Sequence, residues 1–343
     1  MGYRVAIVGA TGLVGQELIK ILELRKFPFD SISLFATDRA AGKKTFVIHK
    51  EIEVKEITPE SFRDIDIAFF AAGTDVSRHF SPMAVQSGAV VIDNSAAFRM
   101  LATVPLVVPE VNAEDIKEHR GIIANPSCAT IPLVVALYPL HKVNPIKRII
   151  ATAHHSVSGI GSPAIDELTE QSKQILSGQT AVPHILPHQI AFNLLPEVDV
   201  FLDNGYTKEE WQLVEETKKV MHAEDIAISA TCVRVPVFIS HSEAIHVEFS
   251  RPMTPDEAEY VLAQAPGIKI LDDPNVSLYP QPWSAAGTDE VFVGRIRQDT
   301  SHPNGLVLWV VADNLRKGAA LNAVQIAEEM IKREWLQPGR ETK

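Results

Sequence analysis

The run Val5-Ala6-Ile7-Val8-Gly9-Ala10-Thr11-Gly12-Leu13-Val14-Gly15 decides how the first part of the chain folds. Its apolar, largely β-branched opening reads as a short buried strand, and the glycines lead into an amphipathic helical pattern over residues 13–24. Glycine at the tight turn and at the helix start lets backbone N–H groups approach an anion lying on the helix N-terminus, as in dinucleotide-binding βα turns. The spacing is GxxGxxG rather than GxGxxG, so its position directly after the first strand carries the reading. Gly9, Ala10, Thr11, Gly12, Leu13 and Val14 are the expected pyrophosphate contacts.

Outward from this turn, apolar runs at 32–35, 67–70 and 90–92 alternate with helical patterns, the signature of a parallel sheet with crossover helices. After the second strand the chain reads Phe35-Ala36-Thr37-Asp38-Arg39-Ala40-Ala41-Gly42-Lys43. Thr37 and Arg39 suit the 2′-phosphate of NADP, whereas Asp38 suits the free ribose hydroxyl of NAD. Ala72 and Gly73, at the end of another strand, should lie along the same crevice. Beyond residue 146 longer strand-like stretches (148–153, 226–238, 244–249, 291–297 and 306–312) point to a mixed, largely antiparallel sheet. Thr207-Lys208-Glu209-Glu210 and Thr254-Pro255-Asp256-Glu257 are capping boxes. The expected fold is therefore α/β: a Rossmann-like domain of residues 1–127 plus 313–343, and an α+β catalytic and dimerisation domain of residues 128–312.

At 343 residues the chain can support two cores. A net charge of −11 leaves no basic stripe for nucleic acid, and no apolar run is long enough for a membrane span or a signal peptide. Cys128 and Cys232 are the only cysteines, with neither disulfide framework nor zinc spacing, so no metal is expected and a reducing cytoplasm fits. A small-molecule enzyme is the remaining class.

Cys128 lies in Asn125-Pro126-Ser127-Cys128-Ala129-Thr130, between an apolar strand and an apolar helix. Unpaired N–H groups at a helix start favour thiolate, which makes it a candidate nucleophile. Arg234 and His241 flank Val235-Pro236-Val237-Phe238-Ile239-Ser240, and their odd separation requires the pleat to break there if both are to face one pocket. Glu216 shares a helix face with Leu213, Thr217 and Val220, which sets a carboxylate in a buried stripe.

Together with the glycine turn, Asp93-Asn94-Ser95-Ala96-Ala97-Phe98-Arg99, residues 104–112, the Cys128 run and Asp313-Asn314-Leu315-Arg316-Lys317-Gly318, in this order, resemble the aspartate-β-semialdehyde dehydrogenase family. The resemblance implies a Cys128 thioester, His241 as acid/base, and NADP as hydride carrier. It implies that Arg234 holds the substrate carboxylate, Glu216 its ammonium, and Arg99 and Lys219 the phosphate. Ser158, Gly159 and Gly161 would lie near the cofactor phosphates, Asn314 at the nicotinamide, and the chain would be a homodimer or homotetramer.

The chain departs from the family pattern at three positions: Ser127 stands where asparagine is usual before the nucleophile, His155 where glutamine is usual, and Ala40 where serine is common. Ser127 should bind phosphate less directly, and His155 could orient the acyl oxygen or, as imidazolium, favour the Cys128 thiolate. His241, with an ordinary pKa of ~6.5, would titrate near neutrality. The competing readings are a CoA-dependent semialdehyde dehydrogenase or acyl-CoA reductase, and a non-catalytic nucleotide-binding paralogue. Glu216 with Arg234, Arg99 and Lys219 argues against the first, and Cys128 against the second.

Overall fold

The computed structural model describes residues 2–336, the Arg39 side chain excepted. The chain divides into two units, Met1–Ser127 with Ala319–Lys343, and Cys128–Gly318.

In the first unit β1 (Tyr3–Val8) leads through α1 (Leu13–Leu24) to β2 (Phe29–Ala36). A hairpin of β3 (Lys44–Val47) and β4 (Lys50–Glu53) and the short β5 (Lys55–Glu56) precede β6 (Ile67–Phe70), α2 (Thr74–Gln86), β7 (Val90–Asp93), α3 (Pro109–Asn112) and β8 (Ile122–Ala124). The sheet is parallel, in the order β5-β2-β1-β6-β7-β8. Both of its faces are covered, which is why β6 is buried at every residue. On one side Ile7 and Phe69 pack with Leu18 and Leu22 of α1 and with Val324 and Ile326 of the C-terminal helix Leu321–Lys332. On the other, Val8 and Phe70 pack with Phe62 and Ala84. The order of connection reverses between β1 and β6, so the crevice at their C-terminal ends is the switch point at which such sheets bind ligands.

The second unit runs α4 (Thr130–Val143), β9 (Ile146–His155), α5 (Ser162–Leu176), α6 (Lys208–Met221), β10 (Ala227–Arg234) and β11 (His241–Phe249). It continues with α7 (Pro255–Ala263), β12 (Ile268–Ile270), α8 (Pro282–Ala285), β13 (Val291–Gln298) and β14 (Gly305–Ala312). Its sheet is mixed, in the order β10-β9-β11-β14-β13-β12, with β10/β9 and β12/β13 parallel and the other pairs antiparallel. Both capping boxes form and start α6 and α7.

Two boundaries differ from the sequence reading. The stretch expected over 226–238 stops at Arg234, because Pro236 has no N–H to give to a ladder, and the next strand begins at His241 rather than 244. The unit boundary falls after Gly318 instead of 312. Asp313 ties the intervening turn to the second unit, its carboxylate accepting from Gly287 N and its carbonyl from Gly318 N. Among the described residues no helix is long and apolar enough to cross a membrane.

Candidate active site

In the first unit the glycine turn has the geometry its sequence implies. Gly9 sits at φ +88°, and a Cβ there would lie 2.5 Å from the Ala71 carbonyl oxygen, so no other residue fits without a shift. Gly12 caps α1 without a side chain, and the first turn holds no acidic residue, which leaves the helix N-terminus suited to an anion. Gly73, following Ala72 after β6, also caps α2 without a side chain, although Asp75 lies in the first turn there. Thr37 is exposed at the end of β2, before the one-turn helix Asp38–Ala40; the Arg39 side chain lies outside the described residues.

Arg99 is buried, and its Nη2 donates to the Asn94 carbonyl at 2.7 Å. Below it a ladder of amides runs from Asn322 Nδ2 to Asn125 Oδ1 and from Asn125 Nδ2 to Asn94 Oδ1. Ser127 is buried at the end of this unit.

In the second unit three strand ends meet. β9 and β10 run parallel with Arg234 opposite His155, while β11 runs antiparallel to β9 and starts at His241, so His155, Arg234 and His241 gather at one end of the sheet. The break between Arg234 and His241 is held by Val157 N donating to Val237 O at 2.9 Å and Ser158 N to Phe238 O at 3.1 Å. Ser240 turns into β11 at φ +80°, a conformation rare for a side-chain-bearing residue and one that tends to mark functional sites.

Cys128 Sγ lies 3.1 Å from His241 Nε2. On the other edge of the ring, His241 Nδ1 accepts from the Ser156 backbone N–H at 3.1 Å, with Ser156 Oγ at 3.2 Å. The donated N–H makes Nδ1 an acceptor, which leaves the ring proton on Nε2, facing the thiol. Asn314 locks the surroundings: its Oδ1 accepts from Ser156 Oγ, Ser158 Oγ and Ser240 N. Arg234 Nη1 donates to the Ser156 carbonyl at 2.7 Å, while its buried Nε has no hydrogen-bond partner. The guanidinium can approach this loop because residue 159 is glycine; a Cβ there would lie 3.1 Å from Arg234 Nη1. Gly161 ends the same loop, immediately before α5. The His155 ring stands 4.4 Å from that of His241, and its Nε2 is buried without a partner.

Burial, with Arg234 nearby, pushes the His241 pKa down to about 3. Burial also holds His155 well below its ordinary value, helped by His241 and Arg234. Two expectations are thereby corrected: His241 does not titrate near neutrality in the free protein, and His155 is a neutral imidazole rather than an imidazolium beside the thiol. Cys232 is no rival nucleophile. Its thiol is buried, burial drives its pKa upward, and its backbone N–H is held by Glu210 Oε1 at 2.8 Å.

Glu216 is fully buried on the face of α6 that also carries Leu213, Thr217 and Val220, and Lys219 is half-buried one turn on. α6 packs on β10, the strand that ends at Arg234. The sequence reading expected a turn at Ser240, and Ser240 is at positive φ before β11. It missed Ser156, which donates to His241, and Glu243, which is buried two residues beyond His241 on the same face of β11. Ser156 adjoins a residue already singled out, and that was its only signal.

Comparisons with known proteins identify the family. Residues 4–119 match the family model "Semialdehyde dehydrogenase, NAD binding domain", and residues 137–317 match "Semialdehyde dehydrogenase, dimerisation domain". An aspartate-semialdehyde dehydrogenase of Aquifex aeolicus (strain VF5) is 52% identical over 336 residues, covering 97% of this chain and 99% of the relative. The crystal structure of aspartate semialdehyde dehydrogenase II from Vibrio cholerae complexed with ASA superimposes with a TM-score of 0.93 at 44% identity, covering 97% of this chain and 99% of that one. The enzyme with NADP from Candida albicans gives 0.77 at 26% identity, covering 97% and 99%. With identity this high across nearly the whole of both chains, this chain belongs to the aspartate-semialdehyde dehydrogenase family.

Proposed function

We propose that the chain reduces β-aspartyl phosphate with NADPH to aspartate β-semialdehyde and phosphate, and catalyses the reverse phosphorylating oxidation, through a thioester on Cys128. The observation that carries this is the Cys128 Sγ to His241 Nε2 contact of 3.1 Å beside a buried guanidinium. Cys128, its thiol proton lost to solvent, attacks the acyl carbon as thiolate, and phosphate leaves with the electrons of the broken acyl C–O bond. His241, neutral and carrying its proton on Nε2, donates first to the sulfur and then to the oxygen that becomes negative when the thioester is reduced. Because its Nδ1 is held as an acceptor, it acts from the start as a hydrogen-bond donor aimed at developing charge, a form of preorganised electrostatic stabilisation. His155 adds a second neutral ring on the same side.

The uncapped start of α1, the Gly9 turn and the Ala72-Gly73 end of β6 fit the pyrophosphate of NADP, with Thr37 and Arg39 assigned to its 2′-phosphate. We assign Ser158, Gly159 and Gly161 to the cofactor phosphates, Asn314 to the nicotinamide, and Arg99, Lys219 and Ser127 to the substrate phosphate. Bound NADPH supplies the hydride. The chain forms a homo-oligomer, in keeping with the dimerisation-domain match of residues 137–317. A cytoplasmic homodimer or homotetramer that binds neither nucleic acid nor membrane completes the proposal.

Assay of the purified protein with aspartate semialdehyde, phosphate and NADP tests the reading. Phosphate-dependent NADPH formation is expected, and activity only with a CoA thiol would overturn it.

Arg234 Nε has no partner among the described residues, which suits a bidentate grip on the substrate carboxylate. Arg234→Lys keeps the charge and loses the fork, so KM for aspartate semialdehyde should rise ~10–100-fold, the equivalent of one charge-assisted hydrogen bond of ~1.5–3 kcal/mol. An unchanged KM with a fallen kcat would move Arg234 out of the carboxylate subsite.

Ser127 supplies a shorter donor than asparagine beside the nucleophile. Ser127→Asn should lower KM for phosphate while leaving the affinity for NADP unaltered, and a raised phosphate KM in steady-state titration would assign Ser127 to another acceptor.

A further inference from the structure

The thiol pocket gathers three metal-ligating side chains, two of which, Cys128 and His241, the reaction above also uses. Cys128 Sγ, a ring nitrogen of His155 and a ring nitrogen of His241 all lie within 4.8 Å of one another, in the second unit and on three separate elements. One thiolate and two imidazoles are the donor types of a zinc site with an open fourth position. A second observation points the same way: His155 Nε2 is buried, yet among the described residues nothing accepts from it or donates to it. A buried ring nitrogen left in that state calls for an explanation, and an ion is among the usual ones.

We infer that Cys128, His155 and His241 form a binding site for a divalent zinc-class cation, and that the ion blocks the nucleophile reversibly. Tetrahedral zinc with bonds of ~2.3 Å to sulfur and ~2.0–2.1 Å to nitrogen separates S and N by ~3.6 Å. Cys128 Sγ and His241 Nε2 are 3.1 Å apart, so the pair opens by only about half an ångström to admit the ion.

Ligation through Nε2 requires the His241 proton to move to Nδ1, which gives up the hydrogen bond that Nδ1 accepts from the Ser156 backbone N–H. Ser156 Oγ is 3.2 Å from Nδ1 and already donates its own hydrogen to Asn314 Oδ1, so its lone pairs can accept that proton. A ligating histidine whose second nitrogen donates to a neighbouring oxygen is the usual outer-shell arrangement. The thiol proton leaves to solvent, the thiolate becomes a ligand, and no pair of electrons on sulfur remains free to attack an acyl carbon. Glutamine at position 155 would offer an amide in place of imidazole, a poor zinc ligand, so the site belongs to chains that carry histidine there.

The site does not depend on the proposed reaction; only its effect on turnover does, and binding is read without substrate so that the two can fail separately. Purified protein is titrated with Zn2+ in a metal buffer and, in parallel, with Co2+, whose thiolate charge-transfer absorption reports a bond to cysteine. One ion per chain with a Co2+–thiolate band is expected. His155→Gln should weaken Zn2+ binding by at least the ~10–100-fold that loss of an outer-shell partner costs, and Cys128→Ser should abolish the band. Reversal of Zn2+ inhibition by a chelator completes the expected pattern. Undiminished Zn2+ affinity in His155→Gln, or a thiolate band that survives Cys128→Ser, would overturn the assignment.

Discussion

Cys128→Ser should lose turnover by about 10⁴-fold or more while still binding NADP, because the chemistry and the nucleotide turn use different residues. Serine is nearly isosteric with cysteine, so the contacts around the pocket survive. What disappears is a side chain that ionises at accessible pH. A serine hydroxyl would need a base to take its proton, and the ring in contact with this position is already protonated on the nitrogen that faces it, since Ser156 N–H holds His241 Nδ1 as the acceptor. The substitution therefore does not convert the site into a serine acyl-transfer enzyme. Steady-state rates with aspartate semialdehyde, together with NADP binding followed by fluorescence, check both halves. Alkylation by iodoacetamide should mark Cys128 and spare Cys232, whose thiol is buried. Loss of activity on labelling of Cys232 alone, or a Cys128→Ser protein that retains more than about a hundredth of the rate, would contradict the covalent mechanism.

The parts of this arrangement that could be read from sequence are those fixed by local chemistry. β1, the glycine turn and α1 follow from a run of apolar residues ending in glycine, and α6 and α7 from their capping boxes. The burial of Glu216 followed from its place on a helical stripe. The break between Arg234 and His241 was visible as a proline in a strand-like run. What escaped depends on register between strands distant in sequence. That β9, β10 and β11 end at the same edge, with His155 against His241, is a property of the sheet and not of any one segment. The tautomer of His241 hangs on the Ser156 backbone, and its depressed pKa hangs on burial by the whole unit. The metal-capable cluster was invisible for the same reason, because cysteine spacing tests only ligands that are close in sequence.

Glu243 leads to the second large effect, on stability. Both of its carboxyl oxygens are buried without a hydrogen-bond partner, and burial raises its pKa well above the ordinary carboxylate value. It lies on the face of β11 that carries His241. Below about pH 4.5 the folded and unfolded chains are both protonated at this residue, and it contributes no pH dependence. Above that, the unfolded chain ionises while the folded one keeps its proton, so the native state is the one that binds more protons and stability falls as pH rises. The slope approaches ~1.4 kcal/mol per pH unit until the folded pKa is passed. Glu243→Gln removes the titration and keeps the shape. Relative to the parent, the variant should therefore gain stability steadily from pH 5 to 7, whatever the constant cost of burying an amide. His155 and His241 act in the opposite sense: their pKa values are lowered, so they weaken the fold as pH falls below ~6.5, but they do so equally in both proteins and cancel in the difference. Thermal midpoints at matched protein concentration, measured at half-unit intervals of pH, give that difference directly. A parent–variant gap that stays flat across this range would mean that Glu243 ionises inside the folded protein, and the neutral carboxyl beneath the thiol pocket would have to be abandoned.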